Sequence, residues 1–348
     1  MHAQQINCKP DLDHVPDLFR QDTLTICFLG DIMMHSMQIS SAETGDDTYD
    51  FRSYFREIED KIKAADIAVA NMEFALGGKP YSGYPSFSAP DSYADYLTDC
   101  GFDVFLAANN HILDKGSAGA ARTIEIYREL ENEYGIRFTG IAESEEALAG
   151  NYPLRMRRKG IELALVNFTY GTNLGGTSQW PKTNYMADKE AIQNALYKSE
   201  DADFTIVLPH WGTEYALTHS KKQEDTATWL VENGADIIIG AHPHVVQDTS
   251  SVRGIPVIYS LGNAVSNMSA ANTQLELMAT VRIIRHGNGD LEMDTPELTW
   301  LWCSRPGGYV DDYCVIPVED FIGTRESWTG KWEYDKMVST YEKVRNNR

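Results

Sequence analysis

The sequence predicts an α/β protein, and three features of its pattern carry that prediction. Short apolar runs of strand length alternate with longer helical patterns over residues 23–239. Several of these runs, such as "IAVA" at 67–70, are apolar without interruption, which is typical of parallel strands covered on both faces. After Gly240 the strands follow one another through turns, without helices of comparable length, which indicates an antiparallel or mixed part.

The predicted elements follow a regular order along the chain. The strands are expected at 23–29, 67–70, 104–107, 162–168, 204–208 and 237–239. The helices are expected at 51–64, 92–100, 117–134, 189–198 and 224–233. A strand pair at 275–285 and 290–301 is expected to close a second sheet, which favours one domain with two sheets over two independent domains.

The remaining segments are expected to be irregular. Residues 1–21 are polar and contain two prolines, so they predict an irregular N-terminal arm ahead of a single domain at 22–348. The long loop at 171–184 is rich in glycine, threonine and asparagine and directly follows a strand. We expect this loop to act as a mobile lid.

Charge and hydropathy patterning exclude several kinds of partner. The chain carries 51 acidic and 30 basic residues, a formal net charge of −21, which repels the phosphates of nucleic acids. No stretch approaches the ~18–20 consecutive apolar residues of a membrane helix. The first ten residues show neither the basic nor the apolar region of a secretion signal. We expect no nucleic-acid partner and no membrane span, and the localisation stays open.

Polar side chains follow the predicted strands where the strands end, and five of the nine histidines lie there. Since ligands collect at the carboxyl ends of parallel strands, we expect these side chains to meet in one site. Carboxylate, amide and imidazole groups suit divalent Zn, Mn or Fe, and the absence of cysteine from every tip argues against a structural thiolate zinc site. The tips carry Asp31, His35, Asn71, Glu73, Asn109, Asn110, His111, Asp114, His210, Glu214, His242, His244, Ser260 and Asn263.

Most of these side chains also have a purely structural interpretation when taken alone. Asp31 suits a helix N-cap and Glu73 a surface acid. Asn109-Asn110 suits a tight turn, and His35 a solvent-facing position on the next helix. His111 suits a helix cap, Asp114 a loop or capping position, and His210 a satisfied position in the core.

Two other kinds of enzyme are disfavoured. Ser260 lies in "YSLGN", which lacks the Gly-x-Ser-x-Gly pattern of serine hydrolases. A two-carboxylate glycosidase built on Glu73 and Glu214 leaves the histidines without a role.

The backbone around two tips also carries expectations. Gly30 and Gly240 precede Asp31 and Ala241-His242, where a glycine allows a sharp turn. His242 and His244 flank a proline, and in an extended chain residues two apart point to the same side. We therefore expect both imidazoles to face the site from an extended segment.

Together and in this order, the tips resemble the CapA family of bacterial capsule synthesis proteins, associated with poly-γ-glutamate, which in turn looks like a variant of the calcineurin-like metallophosphoesterases. The matching motifs span residues 30–263. They are "GD" at Gly30-Asp31, "NxE" at Asn71 and Glu73, "NNH" at Asn109 to His111, "HWGxE" at His210 to Glu214, "GAHPH" at Gly240 to His244 and "YSLGN" at Tyr259 to Asn263. The resemblance implies an α/β sandwich of two central mixed sheets flanked by helices.

The resemblance also implies two divalent metal ions. Asp31 and His244 would bind the first ion, Asn110, His210 and His242 would bind the second, Glu73 would bridge both, and His111 would contact substrate and protonate a leaving group. Further implied site residues are Glu214, as a partner of a histidine or a proton-transfer group, Trp211, which would shape the pocket, and Asn109, Asn263 and His35.

The first motif departs from the metallophosphoesterase pattern. The residue two after Asp31 is Met33, where that pattern has histidine, so His35, the nearest histidine, is a candidate for the vacant ligand position. Glu73 replaces an aspartate and is longer by one methylene.

Two functions follow from the resemblance. One is a metal-dependent, phosphoesterase-like hydrolase acting on a phosphorylated small molecule or a polyanionic polymer of the cell envelope. The other is a non-catalytic subunit of a capsule assembly complex that binds or guides an anionic polymer. In both cases metal ions would supply the positive charge that this acidic chain lacks.

Overall fold

A computed structural model describes residues 23–175 and 179–346, so the predicted arm at 1–21 lies outside the described residues. Its strands are β1 Thr23–Ile32, β2 Glu43–Gly45, β3 Thr48–Tyr49, β4 Ile67–Met72, β5 Val104–Leu106, β6 Arg137–Thr139, β7 Ile141–Ala142, β8 Leu154–Arg158, β9 Ile161–Thr169, β10 Lys182–Thr183, β11 Phe204–His210, β12 Ile237–Ile239, β13 Thr249–Val252, β14 Ile255–Ile258, β15 Asn263–Val265, β16 Leu275–Arg285, β17 Leu291–Met293, β18 Glu297–Ser304 and β19 Cys314–Pro317. Its helices are α1 Ser36–Ala42, α2 Glu59–Ala64, α3 Asp91–Asp99, α4 Gly116–Tyr134, α5 Glu145–Asn151, α6 Lys189–Tyr197, α7 Lys221–Glu232, α8 Val318–Phe321 and α9 Lys331–Arg345, with a 3-10 turn at Arg325–Ser327.

Two mixed sheets form the centre of the fold. The first has the order β19-β18-β16-β1-β4-β5-β6, with β15 beside β1 and β17 beside β16. The second has the order β13-β14-β12-β11-β9-β8. In each sheet a parallel run, β1-β4-β5-β6 or β9-β11-β12-β14, continues into antiparallel strands. The predicted α/β sandwich of two mixed sheets is confirmed.

Side chains along each strand alternate between the two faces of its sheet, and this alternation creates the layers of the sandwich. On β1, Ile26 and Phe28 lie in an apolar cluster shared with β9 and β11 of the other sheet, represented by Leu163 and Ile206. The intervening Cys27 belongs to a second cluster on the opposite face. Because successive side chains of a strand point to opposite faces, β1 contributes to both layers.

Helices cover the outer face of each sheet. Leu97 of α3 and Ile124 of α4 pack in the outer cluster of the first sheet. Leu196 of α6 and Leu230 of α7 pack with strand residues of the second sheet. Among the described residues, no helix combines the length and the apolar character needed to cross a membrane.

The prediction that 275–285 and 290–301 close a second sheet is wrong. Strand β16 pairs antiparallel with β1, for example Thr280 with Cys27, and both β17 and β18 pair with β16. The pair therefore extends the first sheet. The second sheet is built instead from the later parallel units, because the run of βα units divides between the two sheets after β6.

The helix predicted at 51–64 is wrong over its first half, since α2 begins at Glu59. Tyr54 and Ile58 are buried at helical spacing, but each donates its N–H to the carbonyl three residues earlier, which makes short turns. The Tyr54 carbonyl accepts from the N–H of Val315 in β19 at 2.7 Å. This contact to the sheet replaces the bond that would continue an α-helix. The single strand predicted at 290–301 is divided into β17 and β18. The other predicted elements are present with small shifts at their ends, and the single-domain division stays a prediction.

Candidate metal centre

The polar strand ends meet at the carboxyl ends of the parallel strands of both sheets. The first sheet supplies Asp31 from β1, Glu73 after β4, and Asn110 and His111 after β5, and the second supplies His210 from β11 and His242 and His244 after β12. All seven side chains are buried, although the chain is strongly acidic overall. The structure thus brings the predicted ligands and His111 into one cluster.

Glu73 lies at the centre of this cluster. Its Oε1 is 3.8 Å from Nε2 of both His210 and His244 and 3.9 Å from Nε2 of His111. Neither carboxylate oxygen has a hydrogen-bond partner among the described residues. Burial, followed by the charge of Asp31, raises the pKa of Glu73 well above its ordinary value. A buried carboxyl group without partners is costly, and a bound cation would compensate it.

Asp31 connects the two sheets within the cluster. Its Oδ1 accepts from Nδ2 of Asn71 at 2.6 Å, and its Oδ2 lies 3.2 Å from Nδ1 of His244. Nδ1 of His244 also lies 2.9 Å from Oδ1 of Asn263. Burial lowers the pKa of His244, but the hydrogen bond and charge of Asp31 outweigh it and raise that pKa overall. Asp31 and Asn263 therefore fix the His244 ring.

His210 and His242 are held as neutral imidazoles. Nε2 of His210 lies 2.7 Å from Oδ1 of Asn110, and its Nδ1 lies 3.2 Å from Nδ2 of Asn71. Burial, followed by the neighbouring histidines, lowers the pKa of both His210 and His242 well below the ordinary value. Nδ1 of His242 is buried without a hydrogen-bond partner among the described residues. Neutral imidazole is the form that binds a metal ion.

The two histidines after β12 do not lie in an extended segment. His242 has φ 98° and His244 has φ 59°, both in the left-handed region that a side chain rarely adopts. Their ring centroids are 5.6 Å apart, so they do face the same site. The extended arrangement expected from the sequence is wrong, because the turn falls on the histidines themselves.

Gly30 and Gly240 serve close packing and not a turn with positive φ. A Cβ atom on Gly30 would lie 2.0 Å from the carbonyl oxygen of Gly262, and one on Gly240 would lie 2.2 Å from that of Tyr259. Both glycines thus let strands approach each other beside the site. The expectation that they permit sharp turns is corrected accordingly.

The donor set fits a divalent metal ion. Among the described residues, two groups offer ligand atoms within 4.8 Å of one another, namely Glu73, His242 and His244, and Asp31, Glu73 and His210. Glu73 belongs to both groups, and its oxygens lack other partners. Nitrogen and oxygen donors without thiolate suit Zn, Mn or Fe. The grouping pairs the histidines differently from the assignment that the resemblance implies, so their distribution between two ions stays a prediction.

His111 is oriented by its neighbours. Its Nδ1 lies 2.7 Å from Oδ2 of Asp114, and its backbone N–H donates to Oδ1 of Asn109 at 3.0 Å. The ring of Phe87 packs edge-on against it, with centroids 4.5 Å apart. Asp114 lies in the loop between β5 and α4, as one interpretation of the sequence expects, and within that loop it is buried against His111. Asn109 likewise supports the loop, because its Nδ2 donates to a β4 carbonyl at 2.8 Å.

Glu214 and Trp211 lie at the margin of the cluster. Glu214 is exposed, and after burial its charge is the next cause that raises the pKa of Tyr170 and, to about 12, that of Tyr215. Trp211 is buried in the outer cluster of the second sheet, and its Nε1 donates to the Tyr259 carbonyl at 2.9 Å. The roles predicted for these two residues stay predictions.

The first motif is arranged differently from the metallophosphoesterase pattern. Met33 is 1% exposed in the apolar core, and its N–H donates to the Val265 carbonyl at 3.0 Å. His35 is the half-buried N-cap of α1, where its N–H donates to Oε1 of Gln38 at 2.9 Å. Burial, partly offset by Gln38, lowers the pKa of His35 to about 4. His35 is thus not solvent-facing, and its role as a ligand stays a prediction.

Sequence reasoning missed the roles of two polar residues whose signal is present. Asn71 stands at a predicted strand tip, and in the structure it contacts both Asp31 and His210. Glu276 is fully buried in β16, and its Oε1 accepts from the N–H of Gly30 at 2.7 Å. Each interrupts an otherwise apolar strand, and a polar residue in such a run is the signal that identifies it.

Two loop residues were missed for lack of any signal. The N–H of Asn173 donates to the Asn110 carbonyl at 2.9 Å, and its Nδ2 lies 3.4 Å from the His111 ring nitrogens. The ring of Tyr170 lies 4.4 Å from that of His242. Asn173 belongs to the loop predicted as a lid, of which 176–178 lie outside the described residues.

A two-sheet α/β sandwich with buried histidines, carboxylates and amides at its strand ends defines a class of protein suited to divalent metal binding. Within that class the chain belongs to the family described as bacterial capsule synthesis protein PGA_cap, whose profile matches residues 25–268. The family predicted from the strand-end motifs is thereby confirmed.

Relatives and solved structures show similarity over most of the chain. Over 287 residues it is 27% identical to capsule biosynthesis protein CapA of Bacillus anthracis, which covers 78% of this chain and 67% of that protein. It is 26% identical to PGA biosynthesis protein CapA of Bacillus subtilis (strain 168), covering 79% and 72%. A solved 5'-nucleotidase precursor from Thermus thermophilus is similar with a TM-score of 0.47 and 12% identity, covering 93% of this chain and 59% of that one.

Proposed function

We propose that this protein is a divalent-metal-dependent, phosphoesterase-like hydrolase that acts on a phosphorylated or polyanionic substrate of the cell envelope. The observation that carries the proposal is Glu73, which is 0% exposed, has no hydrogen-bond partner for either oxygen among the described residues, and faces three imidazoles. Such a side chain is costly in the metal-free fold and favourable around a cation.

Two ions sharing Glu73 account for more of the cluster than one. The two groups of candidate ligands overlap only at this glutamate. One group combines Glu73 with His242 and His244, the other combines Glu73 with Asp31 and His210, and Asn110 lies beside His210. A shared carboxylate is a reasonable bridge between neighbouring divalent ions, and two ions would offset part of the net charge of −21 near the site.

The ions, when bound, would stabilise charge on a phosphoryl group and lower the pKa of an attacking water. The chain itself supplies the proton for the leaving group. Asp114 accepts a hydrogen bond from Nδ1 of His111 at 2.7 Å, so Nε2 of His111 is directed towards Glu73 and the cluster. In this orientation Asp114 positions the His111 ring, and Nε2–H is the donor to a departing oxygen.

The names of the relatives support a cell-envelope substrate. The similar proteins of Bacillus anthracis and Bacillus subtilis are named for capsule and PGA biosynthesis. We therefore place the substrate among phosphorylated precursors or anionic polymers of the envelope. Subunits of a capsule synthesis complex are the expected protein partners.

The test is a joint measurement of metal content and hydrolysis. Purified protein reconstituted with Zn, Mn or Fe is expected to hold divalent metal at a whole-number ratio and to hydrolyse a generic phosphoester. His242→Ala should lose metal and hydrolysis together. His286→Ala is the matched control, since His286 is exposed and pairs with Glu292 at 2.8 Å. Reconstituted wild-type protein without bound metal would contradict the proposal.

A second candidate is a non-catalytic subunit that binds anionic polymer at the same cluster of side chains. It is favoured by Met33, which is packed in the apolar core where the metallophosphoesterase pattern has a ligand. Polymer binding that survives His111→Ala and Glu214→Gln, together with no turnover of phosphoesters by metal-loaded protein, would support this candidate over the enzyme.

A further inference from the structure

Two exposed tyrosines flank the histidines of the metal centre. The ring of Tyr170 lies 4.4 Å from that of His242 and 6.4 Å from that of His210. The ring of Tyr215 lies 6.2 Å from that of His244. Tyr170 is 40% exposed and Tyr215 is 43% exposed, so both residues are partly open to solvent beside the cluster.

The backbone fixes both tyrosines to the strand ends that carry the histidines. The N–H of Tyr170 donates to the His210 carbonyl at 2.9 Å, and that of Tyr215 donates to the Pro243 carbonyl at 2.8 Å. Tyr215 has φ 64°, a left-handed conformation that costs energy for a residue with a side chain. The fold thus holds an aromatic ring beside His244 at a conformational cost instead of burying it.

The charge beside these rings is acidic. Glu214 is the first of the charged groups that raise the pKa of Tyr170 and of Tyr215, and it belongs to neither group of candidate metal ligands. A carboxylate beside an aromatic face repels an anionic group. An uncharged ring has no such penalty and can stack on the exposed tyrosine faces.

We infer that Tyr170 and Tyr215 form an aromatic clamp that holds an uncharged ring of the substrate, a sugar or a nucleobase, next to the metal centre. The clamp rests on the proposed function and narrows its substrate class to phosphoesters in which a ring adjoins the phosphate. It contacts the part of the substrate that does not react, so it determines specificity.

Stacking sets the size of the expected effect. An aromatic pair contributes roughly 0.5–1.5 kcal/mol beyond area burial, which corresponds to about twofold to twelvefold in affinity. Loss of one tyrosine ring should therefore raise KM for ring-bearing phosphoesters by about that factor. A phosphoester without a ring gains nothing from the clamp.

The experiment compares three phosphoesters on metal-loaded protein: adenosine 5'-monophosphate, glucose 6-phosphate and glycerol 3-phosphate. Wild-type protein is expected to prefer at least one ring-bearing ester over glycerol 3-phosphate. Tyr170→Ala should reduce that preference about twofold to twelvefold, through KM, and Tyr170→Phe should restore it because it keeps the ring. Tyr197→Ala is the matched control, since Tyr197 is 70% exposed at the end of α6.

The outcomes separate the clamp from the proposed function. If Tyr170→Ala loses the preference for the nucleotide over glycerol 3-phosphate, the ring held by the clamp is a nucleobase. If it loses the preference for the hexose phosphate, the ring is a sugar. If Tyr170→Ala lowers kcat equally for all three esters, Tyr170 only packs against His242 and the clamp is refuted. If no ester is hydrolysed, the proposed hydrolase function is refuted. Calorimetric measurement of the affinities for the same three ligands then tests the clamp independently. Equal affinities for ring-bearing and ring-free esters would then refute it.

Discussion

Glu73 and Glu276 are both 0% exposed, and burial raises the pKa of both well above the ordinary value, yet their surroundings differ. Glu73 faces imidazole nitrogens and has no hydrogen bond to either oxygen among the described residues. Glu276 accepts the N–H of Gly30 at 2.7 Å through one oxygen. Burial alone therefore does not identify a ligand, and the partners of the carboxyl group do.

The pairing of Glu276 has a structural cause. The register between β1 and β4 shifts between Leu29 and Asp31, which leaves Gly30 at an irregularity of the ladder. Such an irregularity releases a backbone N–H that needs another acceptor. Glu276 supplies it, so this glutamate supports the backbone that presents Asp31, whereas Glu73 has no such partner among the described residues and is the proposed metal ligand.

The largest expected effect is loss of metal from Glu73→Met. The substitution removes the carboxylate common to both ligand groups, so we expect bound metal to fall to background by plasma mass spectrometry. Glu276→Gln keeps an acceptor for Gly30 and is the matched control, with metal content unchanged. If Glu73→Met keeps the metal content of the wild-type protein, the assignment of Glu73 as a metal ligand and of Glu276 as a structural residue is contradicted.

A third buried carboxylate, Asp114, extends the comparison to catalysis. Its Oδ2 lies 2.7 Å from Nδ1 of His111 and also accepts from the N–H of Phe87 at 2.8 Å, so Asp114→Asn should misorient the His111 ring. Loss of such a supporting contact typically costs about 10–100-fold. We expect turnover of a phosphoester to fall by that factor while metal content stays constant, and equal loss of both would place Asp114 among the groups that hold metal.

In metal-free protein the two glutamates should have opposite effects on stability. Glu73→Met removes two unpartnered oxygens, so we expect the free energy of unfolding to rise by about 1–3 kcal/mol. Glu276→Met leaves the Gly30 N–H without its acceptor and should lower it by about 1–3 kcal/mol. Urea denaturation with a chelator measures both, and changes of the same sign would contradict the account.

The pH dependence of metal-free protein sharpens this result. Folding raises the pKa of Glu73, so the folded protein holds this proton more tightly than the unfolded chain does. Through this group, the free energy of unfolding of the wild-type protein is constant below the ordinary glutamate pKa of ~4.3 and falls as pH rises from there through the folded value. The stability gained by Glu73→Met should therefore grow as pH rises above about 4. A gain that shrinks over this range would show that Glu73 stays ionised in the metal-free fold.

The smallest expected effect is that of His35→Ala. His35→Ala keeps the backbone N–H that donates to Gln38. It removes the ring, whose Nδ1 lies 3.1 Å from Oε1 of Gln38 and accepts from the N–H of Asn267 at 3.3 Å, and loss of such contacts typically costs about 1 kcal/mol. We expect a loss of stability of that size and no change in metal content. Loss of metal on this substitution would instead make His35 the replacement for the histidine that Met33 displaces.

The strand-end motifs predicted the family, the sandwich and the set of side chains that meet. Asp31, Glu73, Asn110, His210, His242 and His244 are brought together because parallel strands deliver their ends to the same edge. Apolar periodicity also predicted most strands and helices, since continuous apolar runs and helical spacing are local properties of the sequence.

The features that the sequence did not predict depend on contacts between segments that are distant along the chain. The turns before α2 replace a helix because Val315, far along the chain, bonds the Tyr54 carbonyl. Strand β16 joins β1 by a pairing that no local pattern specifies. Similarly, Asp114 becomes a partner of His111, and Tyr170 a neighbour of His242, only once the loops are folded.

Anomalous scattering from crystals of reconstituted protein, recorded at the absorption edge of the added metal, tests the central claim most directly. The account predicts a peak within coordination distance of a Glu73 carboxylate oxygen and of imidazole nitrogens of the cluster, with a second peak on the other side of the same glutamate. An anomalous map without any peak beside Glu73 would contradict it.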